Sequence, residues 1–120
     1  AKEKDPERLH SLQRIQSGVA LFAMETGNTL MSMKQYLGAK NQFELAIAMQ
    51  PERARSHVAL ARCALALGDR SETLRVLERA RATGIGASDL RDSSKNVAEF
   101  EILAGDRRFR EMLALQPAEN

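Results

Sequence analysis

Over most of the chain, apolar residues recur every three or four positions, the spacing that gathers them on one face of an α-helix. Leu9, Leu12, Ile15 and Val19 form the first such stripe. Asp5-Pro6 opens it, an N-cap acid followed by the residue best tolerated at the first helical position. Gly18 is compatible with a break there or with an internal glycine at a cost of about 1 kcal/mol. The next helix is expected over 19–33, with Phe22, Ala23, Thr26, Leu30 and Met33 on one face. Another follows over 35–49, with Tyr36, Ala39, Phe43, Ala46 and Ile47 inward and Pro51 beyond its end. No Gly or Asn marks the turn between these two. The clearest helix runs over 52–67 and stops at Gly68-Asp69. Its partner spans 70–83, with Leu74, Val76, Leu77 and Ala80 apolar, and ends before Gly84 and Gly86.

Beyond Gly86 the pattern loosens. Ser88 reads as the cap of a helix containing Leu90, and Ser93-Ser94 as an interruption. Val97, Phe100, Ile102 and Leu103 resume an apolar pattern that Gly105-Asp106 closes. Phe109, Met112 and Leu113 line a last short helix before Pro117, with fraying expected over 118–120.

The pattern repeats itself at 34 residues. Gly27 maps onto Ala61, Lys34 onto Gly68, Ala39 onto Thr73, Phe43 onto Leu77 and Ala46 onto Ala80. Identities at this shift are few (Ala20/Ala54, Glu44/Glu78, Ala46/Ala80 and Ala48/Ala82), so packing is what conserves the alternation of small and large. Small residues let helices approach and large ones fill the gaps between them. One helix pair cannot bury its own apolar face, so a period of this size implies stacked units.

Composition narrows the chemistry. The chain of 120 residues has room for one domain, and its Ala- and Leu-rich, aromatic-poor make-up favours helix. Eighteen basic and sixteen acidic residues leave a net charge of +2 spread along the chain, a mixed solvated surface. Thirteen of the basic residues are Arg, which keeps local patches open. Nucleic-acid binding through Arg70, Arg75, Arg79 and Arg81 is the weakest alternative, because Glu72 and Glu78 intervene and few aromatics are available for stacking. Cys63 is the single cysteine, so no disulfide forms within the chain, and its apolar surroundings make it a packing residue. No apolar run is long enough to span a membrane and no leader pattern is visible. The compartment stays open, with cytoplasm favoured and a periplasmic or envelope setting the alternative. The Ala/Arg/Leu usage has a bacterial cast.

No reaction centre can be assembled. His10 and His57 have no Cys or carboxylate at metal spacing, and His57 falls on the inward side of its helix. Gly84-Ile85-Gly86 terminates a helix and lacks the further glycine of a phosphate loop. Ser71 and Ser88 sit at helix starts, where capping accounts for them. The expectation is a non-enzyme without cofactor or metal.

Taken together, these positions resemble the tetratricopeptide repeat family. Residues 20–53 carry Gly27, Tyr36, Ala39, Phe43, Ala46, Ile47 and Pro51 at family spacing. Residues 54–87 carry Leu60, Ala61, Gly68-Asp69, Leu77 and Ala80, and depart at Thr73 and Ile85, where the family prefers Ala and Pro. Residues 88–116 read as a degenerate repeat, through Val97, Ala98, Ile102 and Gly105-Asp106, with a capping helix. Leu9, Leu12 and Ile15 precede Phe43, Ala46 and Met49 by 34, so 5–18 resembles the second helix of a truncated repeat. The resemblance implies an all-α solenoid of about six or seven stacked antiparallel helices, a single domain over 1–120.

It also implies a site. In the family, the first helices of successive repeats line a concave groove. By position these are Leu21, Met24, Asn28 and Met31, then Arg55, Val58, Arg62 and Leu65. Arg55 and Arg62, seven apart, share a helical face and would orient an acidic partner. The family's carboxylate clamp for chaperone tails is not reproduced: Asn28 fits, but Met24 and Ala59 occupy positions that should be basic and amide. The implied function is non-catalytic binding of a partner's peptide or helix, scaffolding a larger assembly. The alternative is self-association, with the first helix docked on another copy's last.

Overall fold

Helix starts follow the local chemistry. The computed structural model describes residues 5–115. Asp5 accepts from the Glu7 amide at 3.0 Å and Pro6 takes the first position of α1 (Pro6–Ser32). Asp69 does the same for Glu72 at 2.9 Å, opening α4 (Arg70–Thr83), and Asp106 for Phe109 at 3.1 Å, opening α6 (Arg107–Met112). Between them lie α2 (Tyr36–Met49), α3 (Ala54–Ala66), α5 (Ala87–Ser94) and a 3-10 helix over Ala98–Leu103. The described residues contain no strand.

The 34-residue period is written in the backbone. Lys34 N–H donates to Met31 O and Gln35 N–H to Leu30 O; Gly68 N–H donates to Leu65 O and Asp69 N–H to Ala64 O. Both turns place the residue after the helix in the left-handed region, Lys34 at φ 60° and Gly68 at φ 81°. The turn that carries no sequence signal is therefore closed by the same bonds as the one that does.

Each helix packs on elements close to it along the chain. α1 lies on α2, α2 on α3, α3 on α4 and α5, and α4 on α6. This short-range order is that of an all-α helical-repeat stack. The molecule is accordingly elongated, 57 × 31 × 21 Å, with a radius of gyration of 15.5 Å. A compact domain of this length would have about 14 Å.

Small and large residues interlock as the repeat requires. Ala39, Phe43, Ala46, Ala61, Leu77 and Ala80 are all buried. A Cβ at Gly27 would stand 2.7 Å from Phe43 Cδ1 and 2.9 Å from Cζ, so the Phe43 ring occupies the space of the missing side chain. Thr73 is tolerated in a small apolar slot because its hydroxyl donates to the Asp69 carbonyl at 2.9 Å. His57 is buried, its Nε2 2.8 Å from Pro51 O.

Cys63 is fully buried and its thiol donates to Tyr36 O at 3.1 Å. Burial pushes this thiol up, partly opposed by Lys40 and Arg62. In the native chain it should resist a thiol-labelling reagent at neutral pH and react at the rate of global unfolding; rapid labelling without unfolding would contradict the packing role. Because the folded pKa is the higher one, the associated stability is intact below the ordinary thiol range and declines as pH rises through it.

Several expectations are corrected. The helices expected over 5–18 and 19–33 are one, α1, which passes through Gly18 unbroken. Phe22 and Met33, expected inward, are 69% and 58% exposed. α2 covers only the Ala20, Ala23, Gly27 and Met31 face of α1. Ser88 is not a cap: α5 begins at Ala87 with Gly86 at the N-cap. Ile102 is exposed, because the 3-10 helix turns Phe100 and Leu103, three apart, into the core. Pro117, residue 116 and the fraying expected over 118–120 lie outside the described residues.

Candidate partner-binding cleft

Where α1 passes the start of α3, a cleft of about 180 Å³ opens. One wall is a strip of α1: Ala20, Leu21, Met24, Glu25 and Asn28. Spacings of three and four put these residues on adjoining lines of the helix. The other wall is Arg53, Arg55 and Ser56. Arg53 is the N-cap of α3 and brings no side-chain acceptor to its first amides. The positive end of the helix dipole and two arginines thus belong to the same wall. The side chains of Glu25, Asn28, Arg53 and Arg55 make no hydrogen bond or ion pair among the described residues.

Of the eight residues expected to line the groove, Leu21, Met24, Asn28 and Arg55 are brought together here. Met31 and Val58 are buried in the core, and Leu65 is half-buried against it. Arg62 shares a helical face with Arg55 but not a site. Its guanidinium is paired with Glu99, which the 3-10 helix carries up against α3. Four residues of the cleft were not anticipated, Ala20, Glu25, Arg53 and Ser56. Arg53 lies just before α3, where a helical-spacing argument does not reach, although its place two residues from Arg55 was visible. Glu25 is the next turn after Leu21 and was visible by the same spacing that selected Met24 and Asn28.

Other basic and concave regions are already engaged. In α4, Arg75 and Arg79 both bind Glu72 at 2.9 Å. Arg70 donates to Ile102 O at 3.2 Å and Arg81 to Met112 O at 2.9 Å. Of the four arginines weighed for nucleic acid, Arg70 and Arg81 therefore brace α4 against its neighbours, while Arg75 and Arg79 are paired within α4. A larger cleft, about 380 Å³, lies among Glu44, Ile47, His57, Leu60, Val76, Arg79 and Thr83. Its polar groups are held by Lys40, Pro51 and Glu72, leaving little to grip a ligand. Among the described residues no three His, Cys, Asp or Glu side chains gather at a metal-binding distance, and no helix is long and apolar enough to cross a membrane.

The sequence model of the tetratricopeptide repeat family matches residues 30–84, from the end of α1 through α4. No curated protein and no solved structure is detectably similar to the chain. Repeats of this family generally mediate contacts between proteins. The same residues build the stacked helix pairs and the 34-residue backbone recurrence described above, and over this stretch the chain is similar to the tetratricopeptide repeat family.

Proposed function

We propose that the chain is a non-catalytic interaction module that takes an acidic, partly apolar segment of another protein in the cleft between α1 and α3, and so holds that protein in an assembly. The observation that carries this reading is the pairing of two unengaged guanidinium groups, Arg53 and Arg55, with the apolar Leu21 and Met24. A carboxylate placed at the start of α3 meets the guanidinium forks and the uncapped amides together. Met24 and Leu21 supply an adaptable apolar contact beside it. A cleft of about 180 Å³ is small for a whole ligand and fits one anchoring side chain, the usual form of a hot spot. The partition into repeats over 20–53 and 54–87, with 88–116 as a degenerate end unit, belongs to the same reading. It makes α1 and α3 the first helices of successive units, the side from which such stacks bind.

Screening acidic, Leu-containing peptides by fluorescence anisotropy tests it. Arg53→Ala with Arg55→Ala should weaken the best binder by tenfold or more, since a hydrogen bond to a charged group contributes about 1.5–3 kcal/mol. Arg62→Ala, whose guanidinium is occupied by Glu99, should leave binding unchanged. Equal affinity in wild type and the double variant, or a loss on Arg62→Ala alone, would move the site elsewhere.

A further inference from the structure

Every residue from 5 to 16 is exposed, although Pro6 onward is helix. This length of α1 has left the body of the stack; Ser17, which accepts from Gln50 Nε2, is the first residue tied back to it. A helix this short standing in water is not stable on propensity alone, since isolated helices under about 12–15 residues are marginal. Yet it carries Leu9, Leu12 and Ile15, and the stripe continues on the body as Val19 and Phe22. Leu12, Ile15, Val19 and Phe22 are spaced three, four and three, the rhythm of a two-helix seam. This seam is distinct from the Ala20, Ala23, Gly27 and Met31 face already packed within the stack.

The seam is complementary to itself in reverse. With a second α1 laid antiparallel about Ser17, Leu12 faces Phe22 of the other copy and Ile15 faces Val19. Gly18 lies at the crossing. Nothing in its own chain comes within 4 Å of where its Cβ would be, so the fold does not require a glycine there. A helix-interior glycine is destabilising relative to alanine, and a second backbone crossing at that point uses the missing side chain. Charge selects the direction. The projecting half carries Glu7, Arg8 and Arg14 beside the N-cap Asp5, whereas Glu25 is the only charged residue from 15 to 33; Arg8, Arg14 and Glu25 are not ion-paired among the described residues. Antiparallel alignment brings Arg8 within one residue of the level of Glu25 of the other copy and opposes the helix dipoles; parallel alignment sets Glu7 beside Glu7 and Arg8 beside Arg8. The exposed area of the stripe is on the order of 1,000 Å² over two copies, where specific interfaces begin.

The geometry points to a second copy of this chain as the occupant: two α1 helices pair antiparallel about Ser17, and each copy's Leu12 and Ile15 cover Phe22 and Val19 of the other.

Analytical ultracentrifugation of the full chain from micromolar to millimolar should show a monomer–dimer equilibrium. Leu12→Glu with Ile15→Glu should raise its dissociation constant by at least about a hundredfold, with α2–α4 still folded by circular dichroism, because both positions are solvent-facing in the single chain. In a Cys63→Ala background, Gly18→Cys should cross-link two copies on oxidation and Arg8→Cys should not. A monomer throughout the concentration range, or a dimer indifferent to the two glutamates, would overturn the pairing and leave the stripe to a helix of another protein. Equal cross-linking at both cysteine positions would overturn the antiparallel arrangement.

Discussion

Phe43→Ala should abolish or nearly abolish the cooperative unfolding transition of the chain. The ring is 1% exposed at the junction of α1, α2 and α3, and truncating a buried Phe costs about 3–5 kcal/mol. Small domains are stable by only about 5–15 kcal/mol, and a ribbon-like stack has little core to absorb the loss. The same contact makes a sharper test. Gly27→Ala puts a Cβ into the Phe43 ring. Overpacking of this kind costs about 1–3 kcal/mol and exceeds the gain of about 1 kcal/mol from helix propensity. The single variant should therefore be destabilised. In a Phe43→Leu background, where the ring is gone, Gly27→Ala should be neutral or stabilising. Urea unfolding of the four chains measures the coupling directly. A Gly27→Ala penalty of equal size in both backgrounds would show that the ring is not what demands the glycine.

Phe109→Ala should do something different: strip the C-terminal end and leave the rest standing. α6 is only six residues, Arg107–Met112, far too short to persist alone. Phe109 anchors it, 4% exposed, its ring edge-on to Phe100 at 5.7 Å and 73°. Arg81, through Met112 O, and Glu78, through Arg108, then tie α6 to α4 at the surface. Such exposed ties contribute little by comparison with the buried ring. Loss of the side chain should remove about 3–5 kcal/mol, concentrated where its contacts are. In a stack the units are coupled only to their neighbours, so the loss stays local. Amide hydrogen exchange should speed up over 98–113 and stay slow over 36–83. Uniform loss of protection would mean that the chain folds as a single cooperative block.

How much of this was legible depends on the distance over which each feature is decided. Asp5, Pro6 and the close of α3 at Gly68 were readable because a cap acts within three or four residues, whereas the cap of α4 is Asp69 and not Ser71. The turn at Lys34 was not: a lysine held at φ 60° carries no turn signal. Its cost of about 1–2 kcal/mol is met by the packing of α1 on α2. In the cleft, Leu21, Met24, Asn28 and Arg55 were legible from helical spacing and the family resemblance. Arg53 was missed because it sits at the N-cap. The occupancy of Arg62 was missed because its partner, Glu99, is 37 residues away on the 3-10 helix.

The sequence by itself determined which segments are helical, the 34-residue period, and the pairing of small with large residues that makes the units stack. These rest on hydrogen bonds and side-chain faces within one or two turns, so local order suffices. Only the tertiary structure decided that α1 runs straight through Gly18. It also decided that the stripe from Leu9 to Phe22 faces outward and that Arg53, not Arg62, joins Arg55. A glycine is compatible with either a break or a continuous helix. An apolar stripe is compatible with either a core or an interface. In both, the choice is made by which other helix is present to bury the face.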